Sequence, residues 1–451
     1  MKRVISILAI ALFTLCLCTP ASAAAAQKEW TFMVFLNADN NLDSFGVGDM
    51  QEMATAGGSN DHLNIVCLID REHGPATLNY ITKDGPQVVK EMGELDMGDY
   101  REYVRFVTDV AKAYPAKNYC SIIWNHGSGW KNANGEIIKG ISYDDSSSNH
   151  ITTNQLTVAM KEIEAALGKK IEVFSFDACL MQMMEVAYAL KDGCDYLVAS
   201  EETEPGEGYP YKEIIQNFKK GMTSEQVATM IVKQYAASYD GGSAGNSSTT
   251  QSAIKCSELN NLTDAINGFA KASMAGEFAA EFKSALNRVQ KFYYRTNIDL
   301  GHFLALAKDS IKDEGFQTAA KKLEAAFAKA VICNGLSGYN TKNATGLAIY
   351  FPTSSYSFSA EYKDLAFAKD CMWEAMVMDY YKKAAAKTLV ADVSRGDVSS
   401  LMAYVSTANE KNREVSAHVI AKLNFHVFAE GGLDEATQTN VRNLLSELKT
   451  R

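Results

Sequence analysis

Apolar residues in this chain gather into short runs separated by polar, Gly-containing turns, and the runs are of two kinds. Continuous blocks rich in β-branched and aromatic side chains occur at Trp30–Leu36, Leu63–Asp70, Tyr119–Trp124, Ile171–Phe176 and Asp195–Ser200. A strand covered on both faces needs no polar side, so such blocks read as strands of a parallel sheet. Between them, apolar residues recur at helical spacing in Phe45–Ala56 (ended by Gly57 and Gly58), Tyr100–Tyr114 (stopped by Pro115), Thr152–Leu167 and Leu180–Leu190. Thr77–Thr82 reads as a shorter edge hairpin piece. Alternating strands and helices predict βαβ units and an α/β fold with a mainly parallel sheet.

The second half is mostly helical in pattern. Ser224–Tyr239 and Leu259–Lys291 predict helices with a flexible surface loop, Asp240–Thr250, between them. Asp299–Ala330 predicts two more helices, and Phe358–Ala386 a helical stretch. Thr345–Phe351 is a late strand closed by Pro352; it either returns to the main sheet or pairs within a smaller subdomain. Residues 387–451 alternate apolar runs with charge and predict a small C-terminal subdomain to which no role is assigned.

At the other end, Lys2 and Arg3 precede an apolar run, Val4–Cys18, and then Pro20, Ala21, Ser22 and Ala23. This is the pattern of a signal peptide over residues 1–23, so the main folded domain is expected over residues 24–386 of an exported protein, periplasmic, cell-surface or secreted. A lipoprotein reading through Cys16 or Cys18 lacks the small residues such a Cys needs in front of it. No later stretch approaches about 18 uninterrupted apolar residues, so no membrane span is expected.

Loss of Lys2 and Arg3 takes the formal net charge from −10 to −12. With no basic run, that balance argues against a nucleic-acid partner. Of nine Cys, seven remain after residue 23: Cys67, Cys120, Cys179, Cys194, Cys256, Cys333 and Cys371. An odd number leaves at least one thiol free. Cys67 and Cys120 lie inside strand runs and read as core, and the scattered His and Cys offer no zinc-site spacing.

Two residues stand where chemistry is expected. Cys179 follows the strand Ile171–Phe176 and precedes the apolar run Leu180–Leu190, which places a thiol at the carboxyl end of a strand with a helix start beside it. Open α/β sheets put active sites at such ends, and a helix N-terminus lowers a thiol pKa. His126 follows the strand Tyr119–Trp124 on a turn with Gly127 and Gly129. A His and a Cys at matching strand ends are candidates for general base and nucleophile.

Trp124-Asn125-His126-Gly127 and Phe176-Asp177-Ala178-Cys179 resemble the His-Gly and Ala-Cys motifs of the clostripain family, peptidase family C11, of the caspase, legumain and gingipain clan. The resemblance extends through Phe35–Asn41, Ser200–Tyr211, Asn297–Phe303 and Asn343–Pro352. It implies a caspase-like αβα sandwich and a cysteine endopeptidase with Cys179 as nucleophile, His126 as acid–base and the backbone amides of Gly127 and Cys179 as oxyanion donors. It also implies that Asp177, which along a strand shares a face with Cys179, receives a basic P1 side chain, Arg or Lys. Capping of the following helix is the alternative role for Asp177. Glu207, flanked by Gly206 and Gly208, is chosen to complete the pocket, with Asp299 a further candidate.

The polar insert Lys131–Asn149 is expected as exposed loop, with Lys139 rather than Lys131 as the self-cleavage site of a zymogen, or else as an ordinary variable loop. No cofactor is required; calcium is left open, with Asp144, Asp145 and Ser146 as oxygen donors. The expected partners are peptides with basic P1 residues, acted on by a monomer. Two other classes stay open: an exported binding protein with the Cys–His pair inactive, and an acyltransferase or transpeptidase using the same thioester chemistry.

Overall fold

The computed structural model describes residues 27–130, 140–409, 412–430 and 433–450. The signal-peptide segment 1–23, Lys131 and Lys139 lie outside the described residues. The first half of the chain contributes β1 (Lys28–Ala38), α1 (Asp43–Thr55), β2 (Leu63–Arg71), β3 (Ala76–Thr82), β4 (Gly85–Gly93), α2 (Tyr100–Ala113) and β5 (Ala116–Trp124). There follow β6 (Ile141–Asp144), β7 (Asn149–Ile151), α3 (Thr153–Leu167), β8 (Ile171–Asp177), α4 (Met184–Leu190), β9 (Cys194–Ala199), α5 (Tyr211–Asn217) and α6 (Ser224–Tyr239). A tight β10–β11 hairpin (Asp240–Gly242, Gly245–Asn246) leads to β12 (Thr249–Lys255), α7 (Leu259–Ala275), α8 (Ala279–Arg288), β13 (Asn297–Asp299), α9 (Leu300–Ser310) and α10 (Glu314–Ala330). Last come β14 (Val331–Ser337), β15 (Ala348–Tyr350), α11 (Ala366–Asp370), α12 (Trp373–Ser394), α13 (Ser399–Thr407), α14 (Arg413–Asn424) and α15 (Glu435–Thr450).

Nine strands form one sheet in the order β14-β12-β9-β8-β5-β1-β2-β3-β4. The central strands from β9 to β2 run parallel, and antiparallel strands extend both edges. Those parallel strands are the continuous apolar blocks of the sequence, because helices cover both of their faces. On one face Met50, Met53, Ile214, Ile231 and Tyr235 of α1, α5 and α6 pack on the sheet. On the other, Tyr103, Phe106, Leu156, Met160 and Met184 of α2, α3 and α4 join a core that continues into α7–α10 and α12. The result is the expected three-layer αβα sandwich.

Several local expectations need correction. The sheet edge is β4, not Thr77–Thr82, which β4 flanks. The strands Thr249–Lys255 and Val331–Ser337 were not anticipated, and the first begins where a loop was expected. Part of the insert is not exposed loop: Ile141, Ser142 and Asp144 are buried in the β6–β7 hairpin. The late strand pairs with β13 rather than with the main sheet. Helix α12 runs unbroken through the division expected at residue 386, and α13–α15 pack around its C-terminal half as a small apolar core that includes Leu389, Val393, Leu401 and Val419.

Candidate active site

Strands β5 and β8 are neighbours with Trp124 opposite Asp177, so His126 and Cys179, each two residues further on, leave the sheet from the same rung. The amide of Asn125 donates to the Asp177 carbonyl at 3.2 Å, continuing the ladder past the strand ends. A Cβ on Gly127 would stand 2.4 Å from the Cys179 carbonyl oxygen. The two loops therefore touch at Gly127, and only a residue without a side chain fits between them.

The expected helix start beside Cys179 is absent. Helix α4 begins at Met184, with no side-chain cap at Met183, and the intervening residues form a loop in which Leu180 has a φ of 64°. A buried Leu in the left-handed region is strained, and it is held there because Leu180 N donates to the Glu202 carbonyl at 3.1 Å and Gln182 N to that of Ser200 at 2.8 Å. The thiol thus faces no helix dipole. Burial, with the charges of Glu202 and Asp177, pushes its pKa above the ordinary thiol value, while the Glu204 N–H donates to Sγ at 3.2 Å. Burial lowers the His126 pKa, opposed by the charge of Asp145. Both shifts favour the uncharged forms of the thiol and the imidazole.

Asp177 ends β8 with a buried carboxylate, which accepts from the Tyr211 hydroxyl at 2.8 Å and from the Tyr209 amide at 3.3 Å. Burial raises its pKa to about 6, against the Tyr211 hydrogen bond. Beside it lies the carboxyl of Glu204, its two oxygens buried, met by the backbone N–H of Ala178 and by Asp177. Burial and then the Asp177 charge drive the Glu204 pKa well up. Asp49, which accepts from the Trp124 indole at 2.7 Å, is raised by burial and by Asp177. Acidic groups thus concentrate beside the Cys179 loop, where tyrosine, indole and amide donors meet them among the described residues.

Other expected residues fall elsewhere. Glu207 is exposed, and the carboxylate that meets Asp177 is that of Glu204 in the same acidic stretch. Asp299 caps α9 by accepting from His302 N at 2.6 Å and pairs with buried Glu201, so it is structural cement for the 200–204 loop rather than a lining of the Asp177 site. The carboxylate of Asp144 accepts from Met97 N at 2.9 Å and Ser147 N at 2.8 Å, and no group of acidic, His or Cys residues among the described residues is placed to hold a metal ion. The 200–204 loop itself is pinned by Thr250, whose hydroxyl accepts from Glu201 N and Glu202 N at 3.0 Å each. Of the seven Cys, all free, Cys179 and Cys333 are partly accessible and the rest buried.

Comparison with known proteins follows this geometry. Residues 34–381 match the model of the Clostripain family. The clostripain of Hathewaya histolytica is 29% identical over 235 residues, 45% of this chain and 44% of that protein, so the chain spans less than half of that relative's length. A secreted C11 cysteine protease from Bacteroides thetaiotaomicron, solved with an irreversible peptide inhibitor, superposes with a TM-score of 0.60 at 20% identity, covering 77% of this chain and 99% of that one. An inactive zymogen C11 protease from Parabacteroides distasonis gives 0.60 at 21% identity, covering 76% and 98%. At such identities the structures establish a common fold. Among the described residues, no helix is long and apolar enough to cross a membrane.

Proposed function

The chain belongs to the clostripain family, and from that premise we propose that it is an exported cysteine endopeptidase cutting peptide bonds after Arg or Lys. The observation that carries this reading is the buried Asp177–Glu204 carboxyl pair, set two residues before the thiol and beside its loop. Two adjacent buried acids are stabilised by an incoming cation, and Arg can engage a carboxylate in a bidentate way.

In the cycle that follows, Cys179 Sγ attacks the scissile carbonyl as its proton passes to His126. The backbone N–H groups of Gly127 and Cys179 hold the oxyanion. His126 protonates the leaving amine, a thioester remains on Cys179, and His126 then takes a proton from the water that hydrolyses it. No step needs a metal. The two pKa shifts and the Glu204 N–H on Sγ support a precursor state, relieved by a cut at Lys139–Gly140. Gly140 N donates to Ser128 Oγ at 3.1 Å, two residues beyond His126, so a cut there falls beside the His turn.

Fluorogenic peptides ending in Arg, Lys, Asp, Asn or Leu test the reading. Turnover confined to Arg and Lys, absent in Cys179→Ala, is expected; turnover after Asp or Asn would remove the basic-pocket argument. Intact-mass analysis of wild type against Lys139→Ala shows no difference if the processing site is wrong.

A further inference from the structure

Among the described residues the ring of His126 has one hydrogen-bond partner, and it is not a residue the Cys–His reading names. His126 Nε2 lies 2.7 Å from Oδ1 of Asn41, in the loop after β1. We infer that Asn41 is the positioning residue of the reaction, accepting the Nε2–H of His126 so that Nδ1 keeps the lone pair that takes the thiol proton. The inference rests on the dyad reading above.

The framing of Asn41 is what separates this contact from a chance one. Strand β1 runs parallel beside β5 with Leu36 opposite Trp124, so the β1 loop and the His turn leave adjacent strands of the sheet. Asparagines on both sides lock the two loops together. Asn125 Nδ2 donates to the Asn37 carbonyl at 2.6 Å, and its Oδ1 accepts from Tyr143 N at 2.7 Å. Asn40 Nδ2 donates to the Tyr143 carbonyl at 3.0 Å, while its Oδ1 accepts from Leu42 N at 2.9 Å. Asp39 closes the far side, its carbonyl accepting from Asp145 N at 2.9 Å and Oδ2 from Ser146 N at 3.2 Å. The side chains of Asn40 and Asn125 are committed to backbone groups, whereas Asn41 spends its side-chain oxygen on the imidazole. A neutral amide fixes a tautomer without adding charge, whereas a carboxylate in the same place would also favour protonation of the ring. Proton transfer through the ring during attack makes Nε2 carry partial positive charge, which the amide oxygen meets at hydrogen-bond distance.

The test compares mature wild type with Asn41→Ala, Asn41→Asp and His126→Ala. Asn41 is exposed, so its removal leaves thermal unfolding near that of wild type. Expected is a fall in kcat of about 10-fold or more for Asn41→Ala with KM changed less than about 2-fold, since the contact orients a catalytic group and binds no substrate. For Asn41→Asp, a carboxylate on Nε2 joins Asp145, the charge already facing the ring from the β6–β7 turn, while Glu202 and Asp177 act on Cys179. The acid limb of kcat/KM therefore moves up by about one pH unit. Nitrogen-15 spectra of histidine-labelled Cys179→Ala protein report the tautomer without turnover: protonated Nε2 with Asn41, a mixture once it is Ala. A kcat within 2-fold of wild type, or an unchanged tautomer in Asn41→Ala, overturns the inference. Turnover surviving in His126→Ala would instead overturn the dyad on which it rests.

Discussion

Gly208 lies against the carboxylate of Asp177, close enough that a Cβ at this position would stand 2.8 Å from Oδ1. Its φ of 55° also lies in the left-handed region, so the chain needs a glycine there twice over. Gly208→Ala should shift Asp177 and the Tyr209 amide that holds it. The expected outcome is a loss of about 10-fold or more in kcat/KM for Arg and Lys peptides, with a melting temperature lower by a few degrees from about 1–2 kcal/mol of backbone strain. Steady-state kinetics and calorimetry on the same preparation measure both.

Glu204→Gln should move activity and stability in opposite directions. The glutamate oxygens are buried, and the neighbouring Asp177 raises the cost of charging them. An amide donates to Asp177 instead, so the empty protein should melt at equal or higher temperature. The incoming cation loses a carboxylate, and kcat/KM for basic peptides should fall by about 30-fold or more, a difference of about 2 kcal/mol or more. A variant that melts lower while cutting normally would show the glutamate to be structural.

The pH dependence of stability carries the same signature. Burial raises Asp177 to about 6, so between about pH 4 and pH 6 the folded state holds a proton that the unfolded chain has released. That contribution is complete below the unfolded pKa and is lost as pH rises through about 6. Asp70 and Glu185, each raised to about 7 by burial, act in the same direction over a wider window. Melting temperatures should therefore decline from pH 4 toward pH 7, and the decline below pH 6 should be shallower in Asp177→Asn. A parallel decline in the two proteins would remove Asp177 from the account.

Thiol chemistry should be selective. Cys179 is partly accessible, whereas Cys67, Cys120, Cys194 and Cys256 are buried in the sheet core and Cys371 is pushed to about 12 by burial. Iodoacetamide on the native protein should label Cys179, with Cys333 the second site, and the others only after unfolding. A cationic acyloxymethyl ketone should outpace a neutral one at Cys179 by about 10-fold or more, because the acidic pair orients it. Peptide mapping by mass spectrometry reads both results, and equal rates for the two reagents would argue against the pocket.

What the sequence made legible, and what it hid, have separate physical causes. Strands β1, β2, β5, β8 and β9 were readable because strands sheathed by helices on both faces are nearly unbroken apolar text. Strands β12 and β14 were not, since Thr249, Thr250, Gln251 and Ser252 of β12 are buried polar residues. Their partners lie in distant loops: Thr250 holds the amides of Glu201 and Glu202, and the Ser252 hydroxyl accepts from Gln182 at 2.7 Å. The start of α4 was misread because residues 180–190 are apolar apart from Gln182 and Glu185, which are themselves buried, and no side-chain cap marks Met183. His126 and Cys179 could be singled out from strand ends alone. Asn41 and Glu204 could not, although each lies in a stretch noted for its resemblance, because what each meets is decided by sheet register and loop folding rather than by nearby sequence.

The shared rung of β5 and β8 has one more consequence. A break anywhere between Trp130 and Gly140 leaves His126 on an amino-terminal fragment and Cys179 on the other. The two pieces meet in the middle of a sheet, joined by the ladder from Cys120–Val173 to Trp124–Asp177 and by apolar cores on both faces. Such a nicked molecule is a heterodimer assembled before it was divided. It would migrate as one species on a native column, separate into two only in denaturant, and fail to regain activity when the pieces are mixed after separate unfolding, since neither half closes its own sheet.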